Sequence, residues 1–90
     1  MMFMFLNILQ YLFEYSLKMD ERILRIAEKI KKLRIDKGYV SNEFFAWEHN
    51  IPRVQYWRME KGTNFTIKTF IRILDAHELT FEEFFRDFDS

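Results

Sequence analysis

Apolar residues recur every three or four positions along most of this 90-residue chain, a spacing that places them on one face of a helix. The clearest stripe lies between residues 20 and 37, where acidic residues precede it and Gly38 follows it, as helix ends favour. Its apolar members are Ile23, Ile26, Ala27, Ile30 and Leu33. Shorter stripes predict further helices that begin near Ser41, Pro52, Thr66 and Thr80.

Residues with known preferences for helix ends mark these shorter helices. Ser41 is a suitable cap, and "TFEE" at residues 80–83 has the form of a capping box. Asn50 suits the left-handed conformation of a tight turn, and Pro52 suits the first turn of a helix that ends at Gly62. The helix that begins at Thr66 has four apolar residues on one side, namely Ile67, Phe70, Ile71 and Leu74.

The first 19 residues are apolar except for a narrow polar stripe formed by Asn7, Gln10, Glu14 and Lys18. This stripe predicts an amphipathic helix, and it argues against a transmembrane span. We therefore expect residues 1–19 to be an N-terminal extension and residues 20–90 to be the domain. The apolar face of the extension packs on the domain, on a second copy or, least favoured, on a membrane surface. Alternatively, translation starts at Met19.

Composition narrows the class of protein further. The chain has only 2 Gly and 1 Pro, which favours an all-α fold. It has no Cys and only two His, so we expect no metal site, and we predict that His49 and His77 are hydrogen-bonded structural residues. The absence of Cys fits the cytoplasm. No phosphate loop or nucleophile motif is present, so we predict neither catalysis nor a cofactor.

Charge is unevenly distributed although the formal net charge is zero. Residues 22–37 hold seven basic and two acidic residues, and residues 53–72 hold five basic and one acidic. Residues 75–90 hold six acidic and one basic. Because a phosphate backbone responds to the local field, the zero net charge does not exclude a nucleic-acid partner. Ordinary solvated helix faces are the alternative interpretation.

Two short helices joined by a tight turn near Asn50 predict a helix-turn-helix. Residues 19–88 also contain "KIKKLRIDKGYVS", "EFFAWEHNI", "VQYWRMEKG" and "TIKTFIRILDAHELTFEEFF" in this order. With these pieces the chain resembles the lambda-repressor/Cro-like (XRE-type) helix-turn-helix family. The resemblance implies a five-helix DNA-binding domain, here with an extra N-terminal helix. It further implies a transcriptional repressor or regulator that binds operator DNA, usually as a homodimer.

Helical spacing and the resemblance together give the candidate site residues. The predicted base contacts, on or near the outer face of the helix over about residues 52–61, are Arg53, Val54, Gln55, Trp57 and Arg58. The predicted phosphate contacts are Ser41, Asn42, Lys61 and Lys68. The resemblance implies a structural salt bridge between Arg34 and Glu60. Alternatively, the two arginines are plain surface charges and Trp57 serves core or dimer packing.

A protein-interaction module is the second function that the sequence supports. Aromatic residues form 19% of the chain, with 11 Phe, and the last helix is acidic. Such a composition also fits an antitoxin-like or accessory subunit that binds a protein partner and has weak or no affinity for DNA. A salt-dependent affinity for duplex DNA would distinguish the two functions.

Overall fold

A computed structural model describes the backbone of residues 2–88 and the side chains of residues 7–10 and 21–88. Residues 2–88 contain five α-helices and no strand, which confirms the all-α prediction. The helices are α1 (Met2–Asp36), α2 (Asn42–Glu48), α3 (Arg53–Lys61), α4 (Ile67–Ala76) and α5 (Phe81–Phe85). The sequence predicted a separate N-terminal helix, but α1 continues without a break through residue 19. No residue that breaks helices stands near this boundary.

Four of the helices end in the same hydrogen-bonded turn. In each, one residue just beyond the helix adopts a left-handed conformation: Gly38 (φ 97°), Asn50 (φ 57°), Gly62 (φ 77°) or Glu78 (φ 56°). The N–H of the next residue then donates to a carbonyl five residues back, as when Tyr39 bonds Arg34 (3.1 Å) and Ile51 bonds Ala46 (2.9 Å). These are Schellman turns, which satisfy carbonyls that the helix leaves unpaired. They redirect the chain within a few residues.

The starts of three helices are capped by hydroxyl side chains. The Ser41 side chain accepts from the N–H of Phe44 (3.2 Å), and Thr66 accepts in the same way from Thr69 (3.3 Å). Thr80 and Glu83 form the predicted capping box. Short helices such as α2 and α5 depend on these contacts because they have few internal hydrogen bonds.

The core is a cluster of buried side chains that includes the fully buried Phe45. Its ring lies 5.1 Å from Tyr56 and 5.1 Å from His77, measured between ring centroids. The other buried apolar members of the cluster are Ile30, Ala46, Ile51, Met59, Phe70, Ile73, Leu74 and Phe84. The cluster therefore draws on all five helices and on the turn after α2.

The inward side of α4 differs from the side on which the sequence placed four apolar residues. Phe70 and Leu74 are buried, together with Ile73, but Ile67 and Ile71 are exposed. α5 occupies one flank of α4, where Phe84 packs edge-on against Phe70 at 5.0 Å. From α1, Arg25 and Lys29 donate to carbonyl oxygens of Phe88 and Phe84, which holds this end of the chain against α1.

The two histidines lie beside Phe45. The sequence predicted that their side chains are hydrogen-bonded, but the part of the chain that the structure describes shows no such bond. The Nε2 atoms of His49 and His77 are buried and have no hydrogen-bond partner within the described residues. Burial, together with the nearby positive charge of Lys37 and the neighbouring His49, lowers the pKa of His77 to about 4. His77 is therefore neutral near pH 7 and acts as an aromatic core residue.

Candidate nucleic-acid interface

The connection between α2 and α3 spans only residues 49–52. Asn50 supplies the left-handed residue, and the buried side chain of Ile51 fixes the middle of the turn to the core. Pro52 follows in an extended conformation (ψ 124°), immediately before the first residue of α3. The start of α3 is therefore set by backbone geometry and by packing, without a side-chain cap.

The two faces of α3 differ in exposure. The inner face carries Tyr56 and Met59, which are both buried in the core. The outer face carries five exposed side chains that, at about 100° per residue, lie within an arc of about 140°. They are Arg53, Val54, Trp57, Arg58 and Lys61. This face has three cations and no carboxylate.

A buried ion pair fixes α3 against α1. Arg34 Nε lies 2.7 Å from Glu60 Oε2, and the side chains of the pair are only 5% and 4% exposed. A second bond joins Nη2 to Oε1 (3.1 Å), so the salt bridge between Arg34 and Glu60 is bidentate. The remaining Nη1 donates to the carbonyl oxygens of Tyr39 (2.8 Å) and Val40 (2.7 Å). The bond to Glu60 raises the pKa of Arg34, which remains charged.

The exposed cations of α3 have weak internal partners. Arg53 lies 3.6 Å from Glu43 of α2, and both side chains are about two-thirds exposed. The Lys61 ammonium lies 5.8 Å from the centre of the Trp57 ring. An exposed ion pair and an exposed cation–π contact each stabilise by only about 1 kcal/mol or less. These charges are therefore available to an outside partner at little cost.

The other predicted site residues surround this face. Gln55 is exposed, and its Oε1 accepts from the hydroxyl of the buried Thr69 on α4 (2.9 Å). The amide nitrogen of Gln55 is thus the atom that can donate outward. Asn42 is the first residue of α2, directly after the cap Ser41. Lys68 is exposed on α4 and is thus on a different helix from the five side chains of the outer face.

Two exposed aromatic residues on α2 were missed by the sequence reasoning. Phe44 is 53% exposed and Trp47 is 74% exposed, and their rings stack at 5.9 Å. A groove of about 470 Å³ beside them is lined by Ser41, Glu43, Phe44, Trp47, Ile51 and Arg53. The signal was their spacing of three residues, which places them on the side of α2 opposite to the buried Phe45 and Ala46.

Within the described residues, no helix is both long and apolar enough to cross a bilayer. The same residues contain no group of three or more His, Cys, Asp or Glu that could hold a metal ion. No protein-family model, curated protein or solved structure matches this chain.

Proposed function

We propose that this chain binds double-stranded DNA through the outer face of α3 and acts as a transcriptional regulator, most simply a repressor. In this proposal α2, residues 49–52 and α3 act as a helix-turn-helix. The observation that carries it is the outer face of α3, on which three exposed cations and no carboxylate stand on a helix anchored by buried residues. A short, rigidly held basic helix fits the width of a major groove.

Each side chain of this face has a defined role in the proposal. Arg53 and Arg58 read guanine through O6 and N7, and Val54 contacts a thymine methyl group. Trp57 adds an apolar contact beside them. Because Thr69 occupies the carbonyl of Gln55, the Gln55 amide donates to a phosphate or to a base acceptor and does not read adenine in bidentate fashion.

The phosphate contacts would come from both ends of the proposed motif. Lys61 lies in the last turn of α3, and Ser41 and Asn42 lie at the start of α2, where backbone N–H groups also point outward. These contacts position the protein on the duplex without reading its sequence. Lys68, which the sequence also suggested as a phosphate contact, stands on α4 outside the proposed motif and is not included in this set.

The general experiment is a titration of the chain with random duplex DNA at several salt concentrations. The logarithm of the binding constant should fall linearly with the logarithm of salt concentration, by about 0.9 for each phosphate that is neutralised. Sites selected from random DNA should then show a preferred sequence. Salt-independent binding, or no binding at low salt, would contradict the proposal.

Substitution of the arginines tests the assignment of roles. Arg53→Ala or Arg58→Ala should cost about 1–3 kcal/mol of binding free energy and relax the preference at one base pair. Lys61→Ala should weaken binding to all sequences alike. Arg86→Ala, which removes an exposed arginine after α5, is the matched control and should leave affinity nearly unchanged. Full affinity and an unchanged preferred site in both α3 variants would refute the assignment.

We also propose that the protein acts as a homodimer, which would place two copies of α3 in successive major grooves about 34 Å apart on a near-palindromic site. The sequence suggested residues 1–18 as one means of pairing. Most of their side chains lie outside the described set, but Ile8 and Leu9 are described and are 54% and 48% exposed. About half of each of these two side chains is therefore open to solvent.

The second candidate function is a protein-interaction module, and the stacked Phe44 and Trp47 favour it. Large exposed aromatic residues beside a groove are typical of binding hot spots. Glu43 and Glu48 flank the pair on α2, so a protein partner would present cationic and apolar residues there. Trp47→Ala should abolish such a partner's binding and leave DNA affinity intact, whereas Arg58→Ala should do the reverse.

A further inference from the structure

The outer side of α4 carries apolar side chains that nothing in the described chain covers. Ile67 is 59% exposed and Ile71 is 40% exposed, and they stand one helical turn apart. Phe81 of α5 is 48% exposed, and its ring lies 5.7 Å from that of the buried Phe70 on α4. We refer to Ile67, Ile71 and Phe81 as the α4 patch. The patch lies on α4 and α5 and shares no side chain with the outer face of α3.

Two opposite charges border the α4 patch on one edge. Lys68 and Asp75 are seven residues apart, so at about 100° per residue they project within about 20° of each other. Both are exposed, and neither side chain makes an ion pair or hydrogen bond within the described residues. Lys68 precedes Ile71 by three residues, and Asp75 follows it by four. A cation and an anion therefore stand at nearly equal distances on either side of Ile71.

We infer that the α4 patch is the surface through which two copies of this chain associate. A two-fold axis that passes near residues 71 and 72, perpendicular to α4, makes the two α4 helices antiparallel. The same axis brings Lys68 of each copy opposite Asp75 of the other copy, while Ile71 meets its own counterpart at the centre. An interface between identical surfaces must be complementary to itself, and Lys68 and Asp75 satisfy that condition. The exposed Arg72 lies about 100° around α4 from Ile71, towards the edge of this contact.

The exposed aromatic pair on α2 is not complementary to a second copy of itself. Phe44 and Trp47 are flanked by Glu43 and Glu48, so a two-fold contact there would bring carboxylates together. The α4 patch also differs from the N-terminal half of α1, so the inference is independent of residues 1–18. Three apolar side chains from each copy and two ion pairs per dimer form a small interface, which predicts a weak dimer in rapid exchange with the monomer.

The chain has no Cys, so single thiols can be introduced into the full-length protein as position markers. Ile71→Cys places a thiol near the two-fold axis. Ile35→Cys on α1 is the matched control, because Ile35 is 51% exposed and lies outside the α4 patch. Under mild oxidation without DNA, Ile71→Cys should form disulfide-linked dimers about tenfold faster than the control, since association raises the effective thiol concentration. Equal rates would overturn the inference.

Charge reversal tests the predicted ion pairs. Lys68→Glu or Asp75→Lys alone places like charges opposite each other twice per dimer and should raise the dimer Kd about tenfold, measured by sedimentation. The double variant Lys68→Glu with Asp75→Lys restores opposite charges and should recover most of the affinity. A dimer Kd that none of the three variants changes would also overturn the inference. Because no DNA is present, either failure leaves the proposed DNA binding untouched.

Discussion

Glu78 has a backbone conformation that ordinary L-residues avoid. With φ at 56°, it is the left-handed residue of the turn after α4, a position that Gly38 and Gly62 occupy after α1 and α3. A left-handed residue other than Gly costs about 1–2 kcal/mol, and Asn bears this cost better than Glu. The turn persists because the N–H of Leu79 bonds the carbonyl of Leu74 (2.9 Å) and Leu79 packs against the core.

Replacement of Glu78 with Gly should therefore stabilise the protein. Relief of the left-handed strain is partly offset by the greater freedom of Gly in the unfolded chain, which leaves a gain of about 0.5–1 kcal/mol in the free energy of unfolding. Urea denaturation measures this directly. Glu28→Gly, at an exposed position within α1, is the control and should destabilise by about 0.5 kcal/mol. A loss of stability in Glu78→Gly would show that its side chain makes a contact worth more than the strain.

His77 makes stability depend on pH. Its folded pKa of about 4 lies below the ordinary value of 6.5, so the unfolded chain binds this proton more tightly. The contribution of neutral His77 is fully present above about pH 6.5 and is lost as pH falls towards 4. Within that window, one fully shielded group would lower the free energy of unfolding by about 1.4 kcal/mol per pH unit. The contribution of His77 should be smaller because solvent partly screens its ring.

His77→Phe tests this assignment, because Phe keeps a ring stacked on Phe45 but cannot bind a proton. Urea midpoints of the two proteins, measured at half-unit intervals from pH 7 to pH 4, should diverge as pH falls, with the variant showing the flatter profile. Parallel profiles would mean that other groups account for the acid sensitivity.

At the scale of helices, the sequence predicted where each helix begins or ends more accurately than which of its faces is buried. Ser41, Thr66, Thr80 and Gly62 act locally, through hydrogen bonds or dihedral preferences within a few residues, and their roles were visible without tertiary information. The inward side of α4 was not visible in this way. Ile67 and Ile71 are as apolar as Ile73, and only the placement of α5 and α3 around α4 decides which of them is buried.

In the candidate site, too, the sequence predicted the features that depend on one helix and not those that depend on contacts between helices. The period of α3 identified Arg53, Trp57 and Arg58 as outward residues, because only one side of so short a helix can reach the core. The bond between Gln55 and Thr69 joins two helices, and no local pattern predicts it. The resemblance, not the spacing, suggested that Arg34 and Glu60 pair.

The pair of Arg34 and Glu60 should be a strong determinant of how α3 sits on α1. Glu60→Gln leaves the buried guanidinium without its counter-charge and should cost about 3 kcal/mol in the free energy of unfolding. Glu43→Gln makes the same chemical change in the exposed pair with Arg53 and should cost less than about 0.5 kcal/mol. Calorimetry of both variants compares the two pairs. Similar costs would show that burial does not govern the contribution of these pairs.

At the scale of the whole molecule, α1 dominates the shape. The chain measures 52 × 30 × 22 Å, and a helix of 35 residues is about 52 Å long at 1.5 Å per residue. Among the residues whose side chains are described, every member of the core cluster and every side chain packed against it lies between Ile26 and Phe88, so the described core draws on the second half of this helix. The first half of α1 therefore extends a helix that the domain has already nucleated, which costs less than starting one in water.

Removal of residues 1–18 should leave the domain folded. A chain of residues 19–90 should unfold cooperatively in urea, with a free energy of unfolding within about 1 kcal/mol of the full chain, because the described core is intact. A chain of residues 1–79 is the control. It lacks α5 and the fully buried Phe84, whose loss alone should cost about 3–5 kcal/mol, most of the stability of a domain of this size. If residues 19–90 show no cooperative transition while residues 1–79 do, the first half of α1 forms part of the core and α5 does not.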